Sequence, residues 1–223
     1  VISTAQREFL ELLVTRQALK FGDFTLKSGR KSPYFINTGC FHRGGDLAVL
    51  GRAYAATVAA RFGTAVEVVF GPAYKGIPLG LATAQAYEAL AGRPVDWAYD
   101  RKEAKDHGDG GLFVGAPLTA GRSVVIVDDV LTAGTALRES LAKLKPTGVN
   151  VVGAVVAVDR QERGTAGGRT AIEEIAAELG VTVAPIITIT EAADFLAANE
   201  VSGRRYLGAA DRARIAAHLA ASA

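Results

Sequence analysis

The stretch Val124-Val-Ile-Val-Asp-Asp-Val-Leu-Thr-Ala-Gly-Thr135 sets two adjacent carboxylates, Asp128 and Asp129, between an apolar run and a turn of small and hydroxyl residues. Thr132, Ala133, Gly134 and Thr135 lead into a helical pattern over 134–145, so backbone N–H groups and two hydroxyls can converge on one phosphate at a helix N-terminus. Two acids at the mouth of a phosphate site would repel its ligand. Either the ligand is no phosphate, or the acids face another part of it. An apolar strand followed by two acids, two apolar residues and Thr-Ala-Gly-Thr is a far narrower pattern than a lone glycine-rich loop.

Two further segments carry chemistry at strand ends. In Phe70-Gly-Pro-Ala-Tyr-Lys-Gly76 the glycines allow a tight turn and close approach to an anion, a helix over 77–91 offers its N–H groups, and Lys75 adds a point charge. That combination suits a phosphate or diphosphate, although an ordinary Gly-Pro turn with a solvated lysine explains it equally well in isolation. The segment 101–111, after the strand Val-Asp-Trp-Ala-Tyr, holds Arg101, Lys102, Lys105 and His107 without apolar anchors and ends in glycines. It reads as a flexible lid that closes over an anion.

These groups need a scaffold. Short apolar runs at 66–70, 95–99, 123–127, 149–158 and 181–189 alternate with helical patterns at 46–62, 77–91, 134–145 and 170–179. Unbroken Val/Ile runs between helices predict parallel strands buried on both faces, hence a doubly wound α/β sheet with its ligands at the carboxyl ends of the strands. Ahead of this core, apolar positions from Ser3 to Lys20 recur at helical spacing, with a capping-box pair at Ser3 and Gln6. Two short strands, Phe24–Leu26 and Tyr34–Ile36, flank a basic turn that could form a hood. The alanine-rich tail predicts a terminal helix.

Bulk composition fits one substantial folded unit. Apolar residues make up 49% and charged residues 22%, which excludes disorder, and 25 basic against 23 acidic residues give a net charge of +2, too small for binding nucleic acid through bulk charge. The lone Cys40 permits no internal disulfide, no Cys/His cluster has zinc spacing, and no apolar stretch reaches the length of a membrane span. A cytoplasmic protein is expected.

The DDVLTAGT pattern resembles the diphosphoribosyl-binding fingerprint of the type I phosphoribosyltransferases. The segments FTLKSGRKSPYFIN, FGPAYKGIPL, DRKEAKDHGDGG, VVIVDDVLTAGTA and VDRQERG resemble, in the same order and over nearly the whole chain, those of the orotate phosphoribosyltransferases. The resemblance implies a type I phosphoribosyltransferase fold, a mainly parallel twisted sheet flanked by helices. Within a single domain it implies an N-terminal helix and hood (1–43), an α/β core (44–190) and a C-terminal helical segment (191–223). It implies transfer of ribose 5-phosphate from phosphoribosyl diphosphate to N1 of orotate, giving orotidine 5′-phosphate and diphosphate in pyrimidine synthesis. A decarboxylase barrel of about 250 residues has no room in 223.

Roles follow from the same resemblance. Amides at Thr132 to Ala136 cradle the 5-phosphate, with Val130 and Leu131 alongside, and Asp128 and Asp129 accept from the ribose hydroxyls and favour the cation that develops at C1. Tyr74, Lys75, Arg101, Lys102, Lys105 and His107 meet the diphosphate, and Lys27 also binds the donor. A Mg²⁺ bound mainly through substrate and water bridges its oxygens, so no protein cage is expected. Lys27, Phe35, Ile36, Thr132 and Arg160 surround orotate, Phe35 as an aromatic face and Arg160 as a partner for the carboxylate, although Arg160 could instead serve as a surface partner of Asp159 or Glu162. A homodimer in which the 101–111 loop reaches the partner's site is also implied. Two alternatives share the fold: a nucleic-acid-binding regulator, which needs a basic face that +2 does not advertise, and a purine phosphoribosyltransferase, whose base has no carboxylate to neutralise.

Overall fold

A computed structural model describes residues 2–25, 29, 31–105, 111–131, 134–162 and 168–221, apart from the side chains of 104 and 105. Helix α1 (Thr4–Thr15) is opened by the Ser3/Gln6 capping box and packs Phe9, Leu10, Leu13 and Val14 inward. It stops five residues short of the span its apolar periodicity suggests. Gln17 takes a positive φ of 57° and the Ala18 amide returns to the Leu13 carbonyl, turning Leu19 into β1 (Leu19–Thr25). β1 pairs antiparallel with β2 (Lys31–Ile36), and this two-stranded ribbon is the expected hood, with longer strands than the alternation implied.

The main sheet has six strands in the order β5-β4-β3-β6-β7-β8: β3 (Val68–Phe70), β4 (Asp96–Lys105), β5 (Gly111–Gly115), β6 (Ser123–Asp128), β7 (Asn150–Asp159) and β8 (Val183–Thr188). All neighbours are parallel except β5, which returns antiparallel along β4 at the edge. Helices α2 (Gly44–Phe62), α3 (Gly76–Ala91), α4 (Thr135–Leu144), α5 (Ala171–Leu179), α6 (Ile189–Ala198) and α7 (Ala209–Ala221) complete the fold. Ile189, read from sequence as the end of the last strand, begins α6 instead, because Thr188 and Glu191 form a capping box. Among the described residues no helix is long and apolar enough to cross a membrane.

The 101–111 segment also departs from its expected form. β4 continues through Lys105, whose backbone pairs with Gly111, so residues 101–105 belong to a strand rather than a loop. A ribbon that projects beyond the sheet is polar on both faces and shows no alternation in sequence.

Side chains alternate across the parallel strands, as the pleat requires. Val69, Val125, Val127, Val155 and Ala157 join one apolar cluster with α1, α2, α3, α6 and α7, while Val68, Val124, Ile126, Ala154 and Val156 join a second with α4 and α5. The chain enters the sheet at β3, builds β4 and β5 to one side, then crosses to β6 on the other. The connections leaving β3 and β6 therefore diverge, and the crevice between them is where an open α/β sheet receives its ligand.

Candidate active site

The β6 terminus is held by four bonds to its own backbone. The buried Tyr54 hydroxyl of α2 donates to the Asp128 carbonyl at 2.7 Å, and the Ala157 amide donates to the Asp129 carbonyl at 2.8 Å. Each acid also accepts the following amide: Asp129 N–H to Asp128 Oδ1 at 2.8 Å, and Val130 N–H to Asp129 Oδ1 at 2.7 Å. Burial pushes the Tyr54 phenol well up, with the Asp128 and Asp129 charges adding to it, so it stays a neutral donor.

The two acids lie on opposite faces of the sheet. Asp128 follows the Val124/Ile126 side and lines a cavity of ≈ 250 Å³ with Val130, Leu131, Gly134, Thr135 and Ala136. Asp129 follows the Val125/Val127 side and lines a second cavity of ≈ 170 Å³ with Thr38, Tyr54, Lys75 and Ala157. Their electrostatics differ accordingly. Burial raises the Asp128 carboxyl to about 6, with the Asp129 charge acting in the same direction and the Asp129 amide and Lys75 opposing. Burial would also raise Asp129, but hydrogen bonds from Lys75 Nζ and Thr38 Oγ1, both at 2.8 Å, and from the Val130 amide hold it below the ordinary carboxylate value. Thr38, from the 3₁₀ turn after β2, ties the hood to the β6 acid, and no sequence motif marked it.

Beside Asp128, Gly134 opens α4 in the left-handed region at φ 71°, and a Cβ there would come within 2.6 Å of Ile175 Cδ1. Thr135 and Ala136 form the first turn and are exposed. Thr132 and Ala133 lie outside the described residues, as do Lys27 and His107 and the side chain of Lys105.

Across the crevice, the loop after β3 packs backbone against backbone. A Cβ on Gly71 would meet the Gly76 carbonyl oxygen at 2.0 Å and one on Gly76 would meet Pro72 Cδ at 2.6 Å, so these glycines serve the fit of the loop on α3. The loop is pinned to β4 by Gly71 N–H to the Ala98 carbonyl at 3.0 Å and Ala73 N–H to Asp100 Oδ1 at 2.9 Å. This buried pin leaves Tyr74 70% exposed and Lys75 projecting to Asp129, with the Lys102 ammonium 5.4 Å from the centre of the Tyr74 ring. Arg101 donates to the Gly111 carbonyl at 3.0 Å at the base of the β4–β5 ribbon. Asp100 is only 5% exposed, and its other oxygen pairs with Lys143 near the end of α4.

At the end of β7, Arg160 pairs with Glu162 at 2.6 Å, the alternative that its sequence neighbourhood allowed. Its guanidinium sits 5.7 Å from the centre of the Tyr34 ring, its carbonyl accepts the Tyr34 hydroxyl at 2.9 Å, and its Nε is buried with no hydrogen-bond partner among the described residues. The Tyr34 phenol is held well above its usual range, first by burial and then by the Glu162 charge, so it too is a donor. The aromatic ring against Arg160 is thus Tyr34, which the sequence reading did not single out. Phe35, one residue on, faces the other side of β2, 38% exposed and stacked on Phe24 at 5.6 Å, and Ile36 is partly buried against Leu19.

An open sheet with an acid pair at the switch point, a glycine-led helix start beside it and a basic loop facing it defines a phosphoribosyltransferase, and residues 41–167 match the phosphoribosyl transferase domain family model. An orotate phosphoribosyltransferase of Thioalkalivibrio sulfidiphilus is 52% identical over 195 residues, 87% of this chain and 90% of its own. The crystal structure of the Francisella tularensis orotate phosphoribosyltransferase superposes with a TM-score of 0.79 at 35% identity, covering 94% of this chain and 96% of that one. The Mycobacterium tuberculosis enzyme in complex with 5-phospho-α-D-ribosyl 1-diphosphate gives 0.60 at 27% identity, over 84% of this chain and 98% of that one. The chain belongs to the orotate phosphoribosyltransferase family of pentosyl transferases.

Proposed function

We propose that the residues gathered at the divide between β3 and β6 carry out the family's reaction, transfer of ribose 5-phosphate from phosphoribosyl diphosphate to N1 of orotate. The observation that carries this reading is the placement of Asp128 and Asp129 on opposite faces, one beside the α4 N-terminus and the other against Lys75. The 5-phosphate takes the amides of the 132–136 turn, with Val130 and Leu131 lining its cavity. The acids accept hydrogen bonds from the two ribose hydroxyls. The Lys75–Asp129 contact puts the acid meant for sugar and the cation meant for diphosphate side by side, as a bond joining ribose to diphosphate requires.

As diphosphate departs, positive charge develops at C1 and the ring oxygen, and negative charge on the leaving group. Ionised Asp128 and Asp129 favour the first; Tyr74, Lys75, Arg101 and Lys102, with Lys27, Lys105 and His107, favour the second. The N1 nitrogen of orotate attacks directly, without a protein nucleophile. Arg160 is suited to the carboxylate of orotate because its buried Nε has no hydrogen-bond partner among the described residues, and Phe35 and Ile36 of the hood, with Thr132, are the other groups assigned to orotate. Mg²⁺ is the cofactor this reading implies, held mainly through the diphosphate oxygens and water. When bound it would neutralise charge on the leaving diphosphate.

The family pattern extends to a cytoplasmic homodimer in which the β4–β5 ribbon acts on the partner's site. Loss of orotate absorbance with phosphoribosyl diphosphate and Mg²⁺ is expected, and turnover with a purine base alone would overturn the substrate. Mixing Lys105→Ala with Arg160→Ala chains should restore part of the activity in hybrid dimers. No recovery after confirmed subunit exchange counts against the shared site.

A further inference from the structure

Asp100 belongs to none of the substrate-facing groups, yet two of their supports meet on its carboxylate. One oxygen accepts the Ala73 amide at 2.9 Å, one residue before Tyr74-Lys75, and the other pairs with Lys143 of α4, the helix whose opposite end is the 5-phosphate turn. Asp100 itself lies two residues past Ala98, where the parallel pairing of β4 ends, is the last residue paired with β5 before the register shifts, and precedes Arg101, the first residue of the basic ribbon. It is buried, whereas Tyr74 and Lys75 are exposed.

We infer that Asp100 is a positioning residue for the diphosphate half of the donor: its carboxylate oxygen fixes the Ala73 amide and so aims Tyr74 and Lys75 at the leaving group. This rests on the proposed assignment of the 70–76 loop to diphosphate. Loop residues carried on two exposed side chains have little packing to define them, so the backbone pin beneath them sets where they point. Gly71 is pinned to the Ala98 carbonyl by strand geometry that any residue at 98 would supply. The second pin depends on the identity of a side chain, and only an acceptor at position 100 can make it. Lys143 balances the buried charge and is not itself required for the aim.

Two double variants separate the acceptor from the ion pair. Asp100→Asn with Lys143→Met keeps an oxygen for the Ala73 amide, and Asp100→Leu with Lys143→Met removes it at similar volume; both delete the buried charges, a replacement that folded proteins tolerate. Calorimetric titration with phosphoribosyl diphosphate should show the Asn variant within about threefold of the parent and the Leu variant at least about tenfold weaker, as for a buried amide left without its acceptor. The KM for orotate should stay within about twofold in both, on the same ground that the lost bond lies on the diphosphate side alone. Equal donor affinity in the two variants, or a tenfold loss already in the Asn variant, overturns the inference. Lys75→Ala is the control for the underlying reading. If it leaves inhibition by inorganic diphosphate unchanged, the loop assignment fails; if it weakens that inhibition while the Leu variant binds donor normally, only the role of Asp100 fails.

Discussion

The two faces of the β6 terminus hold the same side chain under different terms. On the hood side Asp129 has a lysine and a threonine within hydrogen-bonding distance and stays ionised, whereas on the α4 side Asp128 has backbone for company and a carboxyl raised to about 6. Adjacent acids are thus kept apart by the pleat and by their partners, and a pair that looks repulsive in sequence becomes two separate sites.

The strongest break in this comparison is removal of either charge. Asp128→Asn and Asp129→Asn are each expected to lower kcat by about 10²–10³, the loss typical of one preorganised electrostatic group, with little change in donor KM. Steady-state kinetics check this, and unchanged turnover in both variants would refute the assignment. At the orotate end, Arg160→Ala should raise orotate KM by roughly 10–100-fold, the scale of a charged hydrogen bond, without affecting donor binding.

The pH dependence sharpens the difference between the acids. If ionised Asp128 is the acting form, kcat/KM falls as pH drops through about 6, roughly tenfold per unit below it, and this limb disappears in Asp128→Asn. The sign for stability runs the other way: a raised folded pKa makes ionisation of Asp128 costly above its unfolded value, so this group stabilises the fold as pH falls from 7 to 5. Asp129, with a lowered pKa, contributes stability above the unfolded carboxylate range and loses it only as pH falls through its folded value. Melting curves of the parent and the two Asn variants from about pH 2 to 8 test both directions. The smallest effect is expected from Thr38→Val, which removes one hydrogen bond to Asp129 and should cost about 0.5–1.5 kcal/mol in kcat/KM.

The β6 motif was legible because strand, acids and helix start are contiguous, and the Val/Ile runs fixed the parallel core by their lack of alternation. What stayed hidden depends on contacts between distant positions. Thr38, Tyr54, Tyr34 and Asp100 carry no motif, and their partners lie 27 to 128 residues away in the chain. The end of α1 was hidden too, since a glutamine at positive φ has no signature, and so was β5, whose Gly-Leu-Phe-Val-Gly run follows a polar stretch that gives no strand signal.

β6 also encodes the charge layout of the crevice as a parity. Val124 to Val127 are four residues between the β6 entry and the first acid, and each faces the side opposite its neighbour. Deleting or inserting one residue there would leave the motif intact as a string yet exchange the faces of the two acids, setting the lysine-paired position beside the phosphate turn and the raised carboxyl beneath the hood. Two compensating residues would restore the layout. Tolerance of this strand to length change should therefore follow odd and even steps before it follows hydrophobicity.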